Sequence, residues 1–133
     1  MRQDEHNEQV RLFAWAEWER IDRPELGLLF AVPNGGKRDA VTGARLKAEG
    51  VRKGVPDVWL PVARGRWHGL VIELKADETG RPTKEQTEWL SRLMEQGYFA
   101  TVAKGTEAAK RLIVDYLETG MEDSYELRVT SYE

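Results

Sequence analysis

Residues 54–75 read GVPDVWLPVARGRWHGLVIELK, and this stretch decides the architecture. Residues 58–62 (VWLPV) and 67–75 (WHGLVIELK) are rich in branched and aromatic side chains, which favour strands. Residues 63–66 contain Gly65 and read as a turn. Two strands joined so tightly pair as an antiparallel hairpin. With the turn centred near Gly65, residue numbers opposed across the hairpin sum to about 130, which sets Asp57 opposite Glu73. Side chains alternate along a strand, so Glu73 and Lys75 share a face and Leu74 takes the other. Two carboxylates and an ammonium thus meet at one end of the hairpin. Pro61 has no N–H, which ends the first strand there or places it toward a sheet edge.

Working outward, residues 4–20 form an expected first helix capped by Asp4, with Glu5, Gln9, Leu12 and Ala16 on one stripe. Residues 28–32 (LLFAV) read as a short buried strand, and Pro33-Asn34-Gly35-Gly36 as a loop. A charged helix follows over residues 39–49 and stops at Gly50. Downstream, Thr83-Lys84-Glu85-Gln86 has the capping-box pattern and opens a helix closed by Gly97. Residues 98–103 (YFATVA) give a strand and 106–118 a helix. The segment 125–130 is a weaker candidate strand. The order α-β-α-β-β-α-β-α predicts an α/β domain: a mixed sheet with a central hairpin, flanked by helices. The run from the second hairpin strand through the helix to residues 98–103 is a βαβ crossover, so those two strands should be parallel. The five tryptophans are expected in the core or at an interface. Residues 1–120 form one expected domain and 121–133 an acidic C-terminal tail.

The chain of 133 residues is long enough for one domain with a real core. Its 41% hydrophobic and 32% charged residues describe a globular protein. No apolar run reaches membrane length and no signal peptide is visible, so no membrane partner and a cytoplasmic location are expected. The absence of cysteine excludes disulfides, thiolate metal sites and a cysteine nucleophile. Two histidines, His6 and His68, do not suffice for a histidine-built zinc site.

Net charge is −3, but its distribution is uneven. Asp115, Glu118, Glu122, Asp123, Glu126 and Glu133 face only Arg128 at the C-terminal end. Between residues 35 and 66, Lys37, Arg38, Arg45, Lys47, Arg52, Lys53, Arg64 and Arg66 outnumber Asp39, Glu49 and Asp57. A basic middle suits a phosphate-bearing partner, although solvated surface charge has the same composition. The loop Asn34-Gly35-Gly36-Lys37-Arg38 offers backbone N–H groups and two cations to phosphate, and reads equally as a plain glycine turn. Asn34, Lys37, Arg38 and Lys53 are the candidate nucleic-acid contacts.

Close carboxylates repel unless a cation intervenes. Lys75 can neutralise one of them. Mg²⁺ suits the pair better, because it prefers oxygen ligands, and this arrangement fits phosphodiester hydrolysis. An acid-x-Lys triplet alone arises by chance in a chain with 23 acids, and an ordinary surface ion pair has the same residues.

The context is more specific. Gly54-Val55-Pro56-Asp57 followed by Ile72-Glu73-Leu74-Lys75 resembles the PD-(D/E)xK nuclease signature. More narrowly, the chain resembles the stand-alone VRR-Nuc (virus-type replication-repair nuclease) domains of phages. Glu5-x-x-x-Gln9, Val32-Pro33-Asn34-Gly35-Gly36, the run GVRKGVPD over residues 50–57, and Thr83 to Gln86 leading into Trp89-Leu90 agree with it. The resemblance covers residues 4–119. It implies a restriction-endonuclease-like fold and a Mg²⁺- or Mn²⁺-dependent endonuclease acting on branched DNA, including four-way junctions, as a homodimer. It implies Asp57 and Glu73 as metal ligands, Lys75 as the catalytic lysine and Glu5 as a first-helix acid reaching the metal. Glu8 competes with Glu5, which has the four-residue spacing to Gln9; a first-turn acid is also favoured by the helix dipole alone. Gln86 matches the family's helix glutamine, yet it is also the last member of the capping box. The alternative is a catalytically silent DNA-binding or assembly module on the same scaffold.

Overall fold

The computed structural model describes residues 3–33 and 39–122. Asn34, Lys37, Arg38, the candidate strand 125–130 and nearly all of the acidic tail lie outside them.

Helix α1 spans Gln3–Glu19, and a 3-10 turn spans Pro24–Leu28. Strand β1 is Phe30–Ala31, helix α2 is Ala40–Ala48, and the hairpin strands are β2 (Val58–Leu60) and β3 (Leu70–Lys75). Helix α3 (Lys84–Glu95), strand β4 (Phe99–Lys104) and helix α4 (Thr106–Thr119) complete the order. The sheet runs β1-β2-β3-β4, with β1/β2 and β2/β3 antiparallel and β3/β4 parallel.

The hairpin register is the expected one: Val58 opposes Ile72, Trp59 opposes Val71 and Leu60 opposes Leu70. Pro61 ends β2. Arg64 and Trp67 bridge across a tight turn with Gly65 at φ 55°, so β3 starts only at Leu70. The first strand is shorter than its apolar run suggests. Pro24, at the start of a helical turn, pre-sets φ. Residues through Leu28 then wind into the 3-10 turn that buries Leu26. Only Phe30 and Ala31 remain to pair with Trp59 and Val58.

Both faces of the sheet are covered, which is why all six residues of β3 are buried. On one face, Leu12 and Ala16 of α1 and Ile113, Tyr116 and Leu117 of α4 pack on Val58, Leu60, Leu70, Ile72 and Leu74. The buried Tyr116 hydroxyl donates to the Val62 carbonyl at 2.6 Å. On the other face, Leu90 of α3 packs on Val71 and Ala100. Helix α2 begins with the Asp39 carboxylate accepting from the Thr42 N–H at 2.7 Å, but none of its residues is buried. Trp67 is buried as expected. Trp18 is not: it is 77% exposed, because the apolar face of α1 is filled by Leu12 and Ala16 and Trp18 lies off it. No helix among the described residues is long and apolar enough to cross a membrane.

Candidate active site

Asp57 immediately precedes β2 and is 4% exposed. Its backbone carbonyl accepts from Val32 N–H at 2.8 Å, extending the β1/β2 ladder. Its Oδ2 accepts from Leu74 N–H at 3.0 Å, tying the carboxylate to β3. The preceding loop is pressed onto the first turns of α3. The Trp89 indole donates to the Lys53 carbonyl at 3.0 Å, and Lys53 Nζ lies 3.7 Å from Glu85. Gly54 has φ 87°, and a Cβ there would stand 2.8 Å from the Glu85 backbone. The sequence between helix α2 and Asp57 therefore needs glycine at 54 for two reasons, conformation and space.

Glu73 is 2% exposed. Its Oε2 accepts from Gln86 Nε2 at 3.1 Å and lies 3.7 Å from Lys75 Nζ. Its Oε1 is buried without a hydrogen-bond partner. Burial holds the Glu73 carboxyl well above the usual carboxylate range. Asp57 pushes the same way, through the hydrogen bond that only a protonated Glu73 could make to it and through repulsion of the charged form, as does Glu5, and only Lys75 opposes them. Glu73 is thus biased toward holding its proton while no cation lies beside the two carboxylates.

Lys75 Nζ donates to Gln86 Oε1 at 3.1 Å and lies 3.8 Å from Glu5 Oε1. Its stem packs on Gly80, where a Cβ would approach Lys75 Cβ to 2.9 Å. Gln86 performs two tasks. The same Oε1 accepts from Thr83 N–H at 2.8 Å, while Gln86 N–H donates to Thr83 Oγ1 at 3.2 Å, closing the capping box. Its amide thereby links Lys75 and Glu73 while it caps α3.

The two first-helix acids part company. Glu5 reaches Lys75. Glu8 instead accepts from Thr106 N–H at 3.0 Å and pairs with Arg11. That backbone hydrogen bond leads the causes that hold its carboxyl below the ordinary range. The residue before α4 is Gly105, which has no side chain to cap the helix, so Glu8 of α1 does so from across the fold. Sequence reasoning missed this role. The only signal was a helix start preceded by glycine rather than by a capping residue. Lys53 is highly exposed beside Glu85.

The oxygen donors present fit a hard cation. Asp57 and Glu73 are adjacent carboxylates, and Glu73 keeps one oxygen unpartnered. Among the described residues, no three Asp, Glu or His side chains converge as a ready-made cage. The two strand carboxylates are therefore the set in hand, with Glu5 drawn to the same cluster through Lys75.

The VRR-NUC domain family model matches residues 13–107, a span that holds Asp57, Glu73, Lys75 and Gln86 but not Glu5. A solved structure described as a VRR_NUC domain protein is 30% identical, with 89% of this chain and 91% of that chain covered and a TM-score of 0.77. No curated protein matches the sequence. The match over most of the chain and the shared mixed sheet with its flanking helices lead to one conclusion: the chain belongs to the VRR-NUC domain family, with that family's nuclease-type fold.

Proposed function

We propose that this protein is a Mg²⁺- or Mn²⁺-dependent endonuclease that hydrolyses phosphodiester bonds in branched or structured DNA, four-way junctions among them. The observation that carries the reading is the meeting of buried Asp57 and Glu73 carboxylates beside Lys75, with Gln86 tying the last two together. Asp57 and Glu73 would hold the cation, and Glu5 would supply a third oxygen donor from α1. When bound, the cation supplies Lewis acidity at the scissile phosphate. The Lys75 ammonium, an acceptor-free donor, orients the attacking water or stabilises charge that develops on the phosphoryl oxygens. Gln86 fixes the Lys75 and Glu73 side chains so that neither must reorganise during the reaction. Arg52 and Lys53, with Asn34, Lys37 and Arg38, are the proposed phosphate contacts. A homodimer fits the resemblance, and two-fold symmetry suits paired cuts across a junction.

The test is incubation of the protein with plasmid and synthetic four-way junctions in Mg²⁺, Mn²⁺ or EDTA. Cleavage with either metal and none in EDTA is expected, lost in Asp57→Ala and Glu73→Ala while junction binding persists. Binding without cutting in any metal would instead identify a silent DNA-binding module. A folded double variant that cuts at the wild-type rate would remove these residues from the site.

A further inference from the structure

The face of the sheet that carries Asp57 and Glu73 also carries a row of aromatic rings. Trp59 follows Asp57 by two residues, so both side chains leave β2 on the same side, roughly 7 Å apart along the strand. Trp59 opposes Phe30 on β1 and Val71 on β3. Helix α3 covers Val71 and Ala100, over β3 and β4, and stops short of β1. Phe30 is consequently 45% exposed at the sheet edge, where its ring stacks on Trp59 with centroids 6.4 Å apart and planes 16° from parallel. Trp59 meets Tyr98 edge-on at 6.2 Å, and Tyr98 meets the exposed His68 at 5.7 Å. The row thus runs from the open edge toward a polar end.

Cations border the same region. Trp59 donates to the Pro56 carbonyl at 2.9 Å and Trp89 to the Lys53 carbonyl at 3.0 Å, so residues 53–56 run between these two indoles. Arg52 and Lys53 project from the start of that run and are exposed. Exposed cations on the loop that reaches Trp59, with a flat exposed ring and a carboxylate pair on the same sheet face, are the combination that grips a strand whose bases are unstacked. Phosphates meet the cations and a base face meets the ring. A fully paired duplex offers no free base face to such a surface.

From this placement we infer that Phe30, backed by Trp59, is a stacking platform for an unpaired base of the nucleic-acid substrate, next to the candidate catalytic carboxylates. The inference rests on the nuclease reading and narrows it: the favoured DNA has unpaired nucleotides at the cleavage point. Phe30 lies at an exposed edge, so Phe30→Ala folds, and Phe30→Tyr keeps the ring.

The experiment measures DNA binding in EDTA, where no cutting occurs. The probes are a fluorescent duplex and the same duplex carrying a short unpaired segment with 2-aminopurine. Phe30→Ala should weaken binding of the unpaired probe by roughly five- to a hundredfold, leave the duplex unchanged and lose the 2-aminopurine quenching; Phe30→Tyr should retain both. Equal affinity of wild type and Phe30→Ala for the unpaired probe overturns the platform, even if the wild type cuts DNA in Mg²⁺. Binding through Phe30 without any cutting keeps the platform and rejects the nuclease. A wild-type protein that binds neither probe in EDTA overturns the platform, and the nuclease reading falls only if it also fails to cut in Mg²⁺ and Mn²⁺. If Phe30→Ala changes the oligomeric state in light scattering and affinity follows only that change, the face is an interface between copies and the platform is overturned.

Discussion

Glu73→Gln should stabilise the metal-free protein, and the gain should grow with pH. The ordinary glutamate value is 4.5, and burial beside Asp57 raises it in the folded state. An unfolded chain above that value has lost the proton, so folding must take it back. Stability from this group is therefore complete below about 4.5 and is lost as pH rises toward the folded value. One proton taken up per folding event is a slope of about 1.4 kcal/mol per pH unit, or about 2.7 kcal/mol between about pH 5 and 7. For 133 residues the unfolding entropy is roughly 0.28 kcal/mol/K, so the loss is about 10 °C in Tm. Glutamine removes the titration and keeps an oxygen for Gln86. The assay is thermal unfolding of wild type and Glu73→Gln in EDTA across this range, read as the difference between the two, which cancels the other carboxylates. The gap should widen by about 10 °C toward neutral pH. Added Mg²⁺ should close much of it by stabilising only the wild type, since a ligand that binds the folded state alone adds its binding energy to stability. Parallel Tm curves in EDTA would refute the reasoning, because Glu73 would then be ionised in the folded protein and held by Lys75 as an ordinary ion pair.

Three further outcomes are expected. Lys75→Ala should cost about 10²- to 10³-fold in cleavage rate, the scale of one lost donor to developing charge, while calorimetry finds metal affinity retained. Gly54→Ala should lose roughly 1–3 kcal/mol by chemical denaturation, because its φ of 87° and the 2.8 Å approach to Glu85 leave a methyl group no space; cleavage should fall with it, since Asp57 hangs from that loop. Replacing Lys37, Arg38, Arg52 and Lys53 with alanine should flatten the slope of log affinity against log salt by up to roughly four units without changing metal affinity.

Much of the fold follows from short-range rules. A tight turn at Gly65 and strict alternation leave one pairing between β2 and β3, and Val58 opposite Ile72 is the result. That pairing, with the acid-x-Lys spacing, is enough to bring Asp57, Glu73 and Lys75 together before any tertiary contact is known. The starts of α2 and α3 are equally local, because Asp39 and Thr83 cap donors only three residues away.

Other features depend on partners far along the chain. Glu5 and Glu8 lie three residues apart on α1, and the chain alone does not separate them. What separates them is where α1 crosses the ends of β3 and β4: one acid meets Lys75, and the other meets Thr106, 98 residues away. Gln86 reads as a cap; its second task needs β3 beneath the first turn of α3. Trp18 is exposed and Trp67 buried although both are large and apolar, because burial is set by what packs opposite and not by the side chain. Local geometry thus determined the identity and spacing of the charged cluster, whereas its desolvation, the allocation of the two α1 acids and the exposed Phe30 end of the aromatic row arose only once distant helices closed over some parts of the sheet and left others open.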